Sequence, residues 1–277
     1  GLKDSVAGIV TQQYEQIEPY DMSILLSEGY DEEEKAEFAQ TAEGVLTDYA
    51  YLSETTMDII GEEMTKTVCL RVPEEEDSFG EFVRLETQDG RVLPYPSFGE
   101  VVLSDKVAEK IGAEIGSEIL LRDSDMNEIT VTVAGIYNNY ISNYAYISLE
   151  TYEDQMGHAP EYKTVFAYGN DGIEIHECGA QISEAEGVVS VSITQDMKDR
   201  MASTMESLNY IVILVISCAG LLAFIVLYNL TNINITERIR EIATIKVLGF
   251  YPEETASYVF RENVLLSFVG GAIGLLL

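Results

Sequence analysis

The sequence predicts an α+β extracytoplasmic domain followed by transmembrane α-helices, one complete and one truncated. Leu208–Leu227 (LNYIVILVISCAGLLAFIVL) is twenty residues without a formal charge, and at 1.5 Å per residue it spans roughly 30 Å, the thickness of a hydrocarbon core. A second apolar segment starts near Asn263 and is still running at Leu277. Before Leu208 the chain instead shows short alternating segments separated by turn residues, the pattern of strands and amphipathic helices in a folded domain.

The elements of that domain are read in chain order. Ser23–Ser27 predicts a short strand. Asp31–Leu46 predicts a helix whose acidic first turn, Asp-Glu-Glu-Glu, suits the positive end of the helix dipole. Val68–Val72, Phe82–Glu86 and Arg91–Leu93 read as strands, the last two joined by a hairpin turn at Gln88-Asp89-Gly90. Glu100–Leu103 is a strand, Ser104–Gly112 a helix and Ser117–Arg122 a strand. Asp123–Asn127 is a turn, and Glu128–Tyr137 alternates like a half-buried strand. Tyr144–Ser148 is a strand, with a short helix at Leu149–Met156 ended by Gly157. Strand 163–168, helix 173–185 and strand 188–193 complete the domain, and Gln195–Ser207 continues as helix into the apolar span. The expected division is 1–206 as one extracytoplasmic domain, with a subdomain boundary near 95–100, and 207–277 as the membrane core around a cytoplasmic loop, 229–262.

Charge excludes several functions. The chain has 16 basic and 48 acidic residues; the four basic and five acidic residues of 207–277 set apart, 12 and 43 remain in residues 1–206. Nucleic acid needs a basic footprint, and an anionic membrane surface attracts one, so this domain fits neither. Its acidity reads first as solubility, second as attraction for cationic peptides or metal ions.

No constellation supports catalysis. Two histidines and three cysteines, with no Gly-x-Ser-x-Gly and no Walker glycine loop, leave no triad and no nucleotide-binding loop. Asp123-Ser-Asp-Met-Asn127 imitates the start of a calcium loop but has Glu128 where a glycine is needed, so a hairpin turn is the better reading. His176-Glu-Cys178 has no second pair of metal ligands. Cys69 and Cys178 are read as free thiols, with a disulfide between them left open if residues 1–206 are extracytoplasmic. No cofactor is expected. The missing initiator Met and the break inside an apolar run point to a piece of a longer protein.

The C-terminal seventy residues are more specific. Arg238, Arg240, Lys246 and Arg261 all fall between the two apolar segments, which makes that connection cytoplasmic and residues 1–206 extracytoplasmic. Ile235, Ile239, Ile242 and Ile245 keep helical spacing, with Glu237, Arg238, Arg240 and Glu241 on other faces. Gly249 is placed to end this helix, and Pro252, with Glu253 and Glu254, to open another. Ser267, Gly270, Gly271 and Gly274 set small residues three and four apart, as close helix packing in a bilayer requires.

These residues carry a family resemblance. ERIREIATIKVLGFYPEE followed by RENVLLSFVGGAIGLLL resembles the C-terminal core of the FtsX-like (MacB-type) permeases of ABC transporters, through Glu237, Arg238, Arg240, Glu241, Ile242, Lys246, Leu248, Gly249, Glu262, Leu265, Leu266, Gly270, Gly271 and Gly274. A weaker similarity, through VVLSDKVAEKIGAEIGSEILL, ITVTVAGIY and YAYISLETYEDQMG, extends it upstream to about residue 100. The resemblance implies a multi-pass protein of the bacterial cell membrane that is not itself an enzyme. ATP hydrolysis belongs to a separate ABC ATPase, a second permease copy or homologue completes a dimer, and membrane lipid surrounds the helices. Glu237, Arg238, Arg240, Glu241, Lys246, Gly249, Phe250, Pro252, Glu253 and Glu254 are then the expected coupling residues, and Ser267, Gly270, Gly271 and Gly274 the packing face. The competing reading is a membrane-anchored sensor with an external ligand-binding domain. The short connection of some thirty residues leaves little room for a signalling module.

Overall fold

The computed structural model describes residues 8–61, 64–237, 239–247, 268–271 and 274. The chain forms two compact units, Gly1–Met205 and Glu206–Leu277. After a π-helical segment at Gln12–Ile17 come β1 (Met22–Leu26), α1 (Glu32–Ala42), β2 (Leu46–Ile60), β3 (Thr65–Pro73), α2 (Glu76–Phe79), β4 (Glu100–Ser104), α3 (Asp105–Ile111) and β5 (Glu118–Arg122). Next are β6 (Glu128–Tyr137), β7 (Tyr144–Tyr146), α4 (Leu149–Met156), β8 (Thr164–Gly169), α5 (Ile175–Ser183), β9 (Val188–Ile193), α6 (Thr194–Glu237) and α7 (Ile239–Val247).

Local chemistry explains most boundaries. Asp31 caps α1 by accepting from the backbone N–H of Glu33 and Glu34, while the Glu34 carboxylate accepts from the Asp31 N–H, a complete capping box. α3 and α4 each end on a glycine in the left-handed region, Gly112 at φ 70° and Gly157 at φ 76°, where any side chain would be strained. β6 buries Ile129, Val131 and Val133 and exposes the residues between them, the alternation read in its sequence.

The nine strands run in the order β3-β7-β4-β6-β5-β2-β8-β1-β9, and β3 also pairs with β2. That extra pairing closes a ring, β2-β3-β7-β4-β6-β5, so six strands form a small barrel. Its interior is filled by alternate side chains such as Ile59, Leu70, Val101, Leu121 and Val131, with Val107 and Ile111 of α3 packed against the same core. The first half of β2 leaves the ring and pairs with β8, which continues through β1 to β9 as a four-stranded antiparallel sheet. One face of this sheet, with Met22, Ile24, Val165 and Ala167, packs against Phe38 of α1 and Cys178 and Ile182 of α5. The other face contributes Leu52 and Phe166 to an aromatic layer with Phe79, Phe82, Tyr137 and Tyr146.

Three expectations are corrected. The helix placed at Asp31–Leu46 stops at Ala42, because Gly44 turns the chain at φ 77° and Leu46 already starts β2. β2 itself, fifteen residues and the longest strand, has no counterpart in the sequence reading: residues 50–53 are all buried, so no alternation marks them. Phe82–Glu86 and Arg91–Leu93 reduce to a single bridge, Glu86 to Val92, although the turn between them forms. Phe79, Phe82, Val83 and Leu85 are all buried in the aromatic layer, which a flat alternating strand could not achieve. Nor does the core divide near 95–100. Strands from both sides of that stretch interleave in one sheet, and the barrel core of residues 57–156 is inserted between the two halves of the helix-covered sheet, 22–51 and 162–191.

The barrel and the open sheet are joined by a buried charge network. Arg71 of β3 is 3% exposed. Its register neighbours are Glu54 on β2 and Tyr146 on β7, and it donates to both, Nε to Glu54 Oε1 at 2.8 Å and Nη1 to the Tyr146 hydroxyl at 2.8 Å. Nη1 also donates to Glu18 Oε1 at 2.5 Å, and the guanidinium lies 3.5 Å from the centroid of the Tyr144 ring. Gln13 holds the other Glu18 oxygen at 3.0 Å and accepts from the Tyr140 N–H. Desolvation alone would lower the Arg71 pKa, but Tyr146, Glu18, Tyr144 and Glu54 outweigh it and hold the guanidinium above its ordinary value. Removing one member of such a network strands the others, whereas replacing the whole group is far less costly. Arg71→Met should therefore destabilise the domain by about 3–5 kcal/mol in urea unfolding. Adding Glu18→Gln and Glu54→Gln should restore most of that loss, and a triple variant no more stable than the single one would disprove the network's role.

Candidate functional site: the apolar helix and its root

The chemistry that distinguishes this chain lies along α6 and the segment C-terminal to it. α6 is one uninterrupted helix of 44 residues, about 66 Å at the usual rise and more than twice a hydrocarbon core. Among the described residues it is the one helix long and apolar enough to cross a membrane. Its apolar side chains are exposed all round, Leu214 at 62%, Leu222 at 65% and Phe224 at 67%, a surface that needs lipid or partner helices to cover it. The Ser217 hydroxyl donates to the Ile213 carbonyl at 2.8 Å, which satisfies it where no water is present.

Within the first unit, the start of this helix is held by several bonds. The Thr194 N–H donates to the Asp21 carbonyl at 2.8 Å and its hydroxyl to the Tyr20 carbonyl at 2.7 Å, both at the entrance to β1. Lys198 pairs with Glu15 at 3.4 Å and the Tyr14 hydroxyl meets the Met197 sulfur at 3.8 Å, both on the N-terminal helical segment. His176 of α5 donates from Nε2 to Asp196 at 2.9 Å and from Nδ1 to Glu174 at 2.7 Å. Sequence reasoning missed this root, treating His176 only as a weak metal ligand and Gln195–Ser207 only as a leader to the span. The signal present was a threonine followed by an acid in the first turn, the usual start of a helix.

The residues singled out for coupling are reached only in part. Glu237 ends α6, and Arg240, Glu241 and Lys246 lie in α7, where Arg240 is exposed. Arg238, Gly249, Phe250, Pro252, Glu253, Glu254 and Ser267 lie outside the described residues. Gly270, Gly271 and Gly274 are helical, and a Cβ added at any of them meets nothing within 4 Å. Their small faces are open here to a neighbouring helix.

Elsewhere the small-motif readings resolve into structure. Asp123 spends its carboxylate on its own turn, accepting from the N–H of Asp125 and Asn127 and from the Asn127 amide, and the Asn127 bond leads in holding its pKa below the usual carboxylate value. Cys69 and Cys178 are free thiols, the former pushed up to about 11 chiefly by burial. Among the described residues no group of three or more His, Cys, Asp or Glu side chains is placed to hold a metal ion.

Residues 213–277 match the family described as FtsX-like permease C-terminal. The C-terminal part of this chain is therefore similar to the corresponding segment of FtsX-like permeases. No curated protein matches the chain significantly. Among solved structures, the periplasmic region of MacB from Actinobacillus actinomycetemcomitans is 12% identical, covering 69% of this chain and 97% of that one at a TM-score of 0.42. The extracellular domain of the noncanonic ABC-type transporter YknZ from Gram-positive bacteria is 16% identical, covering 62% and 98% at 0.39. Both likenesses are distant, and the permease assignment rests on residues 213–277. Through that segment the chain is similar to membrane transport components.

The root of α6 carries a titratable group. The Glu174 and then the Asp196 hydrogen bond raise the His176 pKa from 6.5 to about 9. A raised folded pKa means that the stabilisation is fully present below 6.5 and is lost as pH rises through 9. The His176 ring should titrate near 9 by NMR in the full chain, and near 6.5 in the Glu174→Gln/Asp196→Asn variant. A wild-type midpoint below 7 would show that the clasp does not form.

Proposed function

We propose that this chain is the permease subunit of an ABC transporter, coupling ATP hydrolysis in a separate ATPase to movement of its extracytoplasmic domain. The observation that carries the reading is α6: one helix that begins among the hydrogen bonds of Tyr20, Asp21 and His176 and runs without interruption to Glu237. A helix resists bending and stretching, so a displacement at one end is delivered to the other rather than absorbed. The elbow beyond it, Glu237 to Glu254, supplies the contact with the ATPase: its sequence carries both charge signs, and Gly249 and Pro252 are residue types that favour helix ends and starts. Residues 1–206 lie outside the cytoplasm and 229–262 inside, because all four basic residues after Ser207 fall in the connection. Gly270, Gly271 and Gly274 form the packing face of the following helix, within this chain or against a second permease copy. Such a device exports or extrudes a substrate, or works on the envelope mechanically, and needs no cofactor of its own.

The test is reconstitution with the cognate ATPase in lipid nanodiscs. Glu253→Lys/Glu254→Lys should lower permease-stimulated ATP hydrolysis about tenfold and weaken co-purification, while leaving the ellipticity of the extracytoplasmic domain unchanged. Undiminished hydrolysis and assembly would refute the coupling assignment. A cysteine at Thr244 should label from the cytoplasmic side only and one at Glu37 from outside only; the reverse pattern would overturn the orientation.

A further inference from the structure

Closure of the barrel leaves β9 as the one strand with a single partner among the described residues. The ring consumes the edge of β3, and the order then ends at β9, which pairs with β1 alone among the described residues. Open edges are normally blunted by lysine, proline or a bulge. β9 has a bulge against β1 at its Val188 end, but from Gly187 to Gln195 it contains no charge and no proline. Val189 is 61% exposed, and Ser190 and Ser192 are exposed too. Beyond the bulge, Ser190 to Ile193 keep regular register with β1 and so present regular main-chain groups on the other side.

The surroundings of this edge select its occupant. Glu184 and Glu186 precede it and Asp196 and Asp199 come after it. The first two line a cleft of about 420 Å³ with Glu33 and Glu37 around Tyr30 and Phe38. None of those four glutamates has an ion-pair partner among the described residues. A second copy of the chain would bring the same acidic rim against this one, which repels it. A strand with basic side chains finds complementary charge.

We propose that β9 is a docking edge that takes an extended, basic segment of a partner polypeptide as an additional strand. Main-chain hydrogen bonds supply the affinity and the carboxylates around Glu184 and Glu186 the selectivity. This goes beyond the coupling reading and stands without it, since it needs neither an ATPase nor movement of the domain.

The probe is a fluorescent, end-blocked octapeptide of alternating valine and lysine, titrated against the full chain in detergent micelles by anisotropy. Two companion peptides carry N-methyl groups at alternate residues, one set for each edge of the peptide, so that charge and side chains stay constant while one row of donors is removed. The expected result is saturable binding of the parent and a loss of tenfold or more for at least one N-methylated peptide. Val189→Lys, at an exposed position that leaves the core intact, should also lose tenfold or more, and Glu184→Gln/Glu186→Gln threefold to tenfold. Equal binding of parent and both N-methylated peptides would reduce the acidic surface to an ion exchanger and overturn the proposal. So would a concentration-dependent dimer abolished by Val189→Lys with peptide binding unchanged, which would make the occupant a second copy.

Discussion

Glu54 sits where a single strand changes partners, and the architecture of the first unit depends on that changeover. At Leu52, β2 is paired both with Thr164 of β8 and with Pro73 of β3. Two residues on, the Glu54 carboxylate forks: one oxygen accepts from Arg71 of β3 at 2.8 Å and the other from the Thr164 hydroxyl of β8 at 3.0 Å. The same side chain therefore braces β2 against its neighbour in the barrel and its neighbour in the open sheet. A neutral apolar residue would fill the space but would direct neither partner. A buried ionic group is weak evidence for added stability; here its geometry points to specifying which pairing ends and which begins.

The network also determines how the N-terminal segment is held. Glu18 and Gln13 reach Arg71 and Tyr140 from Gln12–Ile17 and the residue just past it, and Glu15 of that segment reaches Lys198 at the start of α6. Arg71 lies at the junction of the two sheets and Lys198 at the helix root, so one short helical segment ties both to the same body. In a domain with 43 acidic and 12 basic residues, placing one of its few cations in the interior is a costly choice. Its effect is to neutralise carboxylates that burial would otherwise reject.

The legibility of each segment in the sequence depends on how that segment is buried. β6 faces the barrel core on one side and solvent on the other, so its alternation is readable and its bounds agree with the sequence reading. β2 is covered on both faces where it crosses from sheet to barrel, so Ala50, Tyr51, Leu52 and Ser53 are all buried and no period survives to be read. Phe79–Leu85 fails for a related reason, being anchored by aromatic packing in an irregular path. The glycines at 112 and 157 are informative because a left-handed helix end has a narrow residue preference. The apolar span is the most legible of all, since charge exclusion over twenty residues depends little on tertiary context, and the family match of 213–277 rests likewise on sequence alone. The helix root is not legible, because its bonds join Tyr20, Glu15 and His176 to residues at least twenty positions and as many as 183 away.

Closing a barrel usually removes edges, and here, among the described residues, it leaves a single strand with only one partner. The remaining edge belongs to β9, whose last residue, Ile193, is followed at once by Thr194, the first residue of α6. No linker separates the strand from the helix, so there is no flexible segment in which a displacement of β9 could be lost. α5 packs on β9 through Gly179, where an added Cβ would meet the Ile193 side chain at 3.2 Å, and it also supplies His176 to the root. A strand added at β9 would therefore bear on the element that leads into α6 and on α5, which clasps its root. On the proposed readings, docking and transmission would be carried by one continuous stretch of chain, from β9 directly into the first turn of α6.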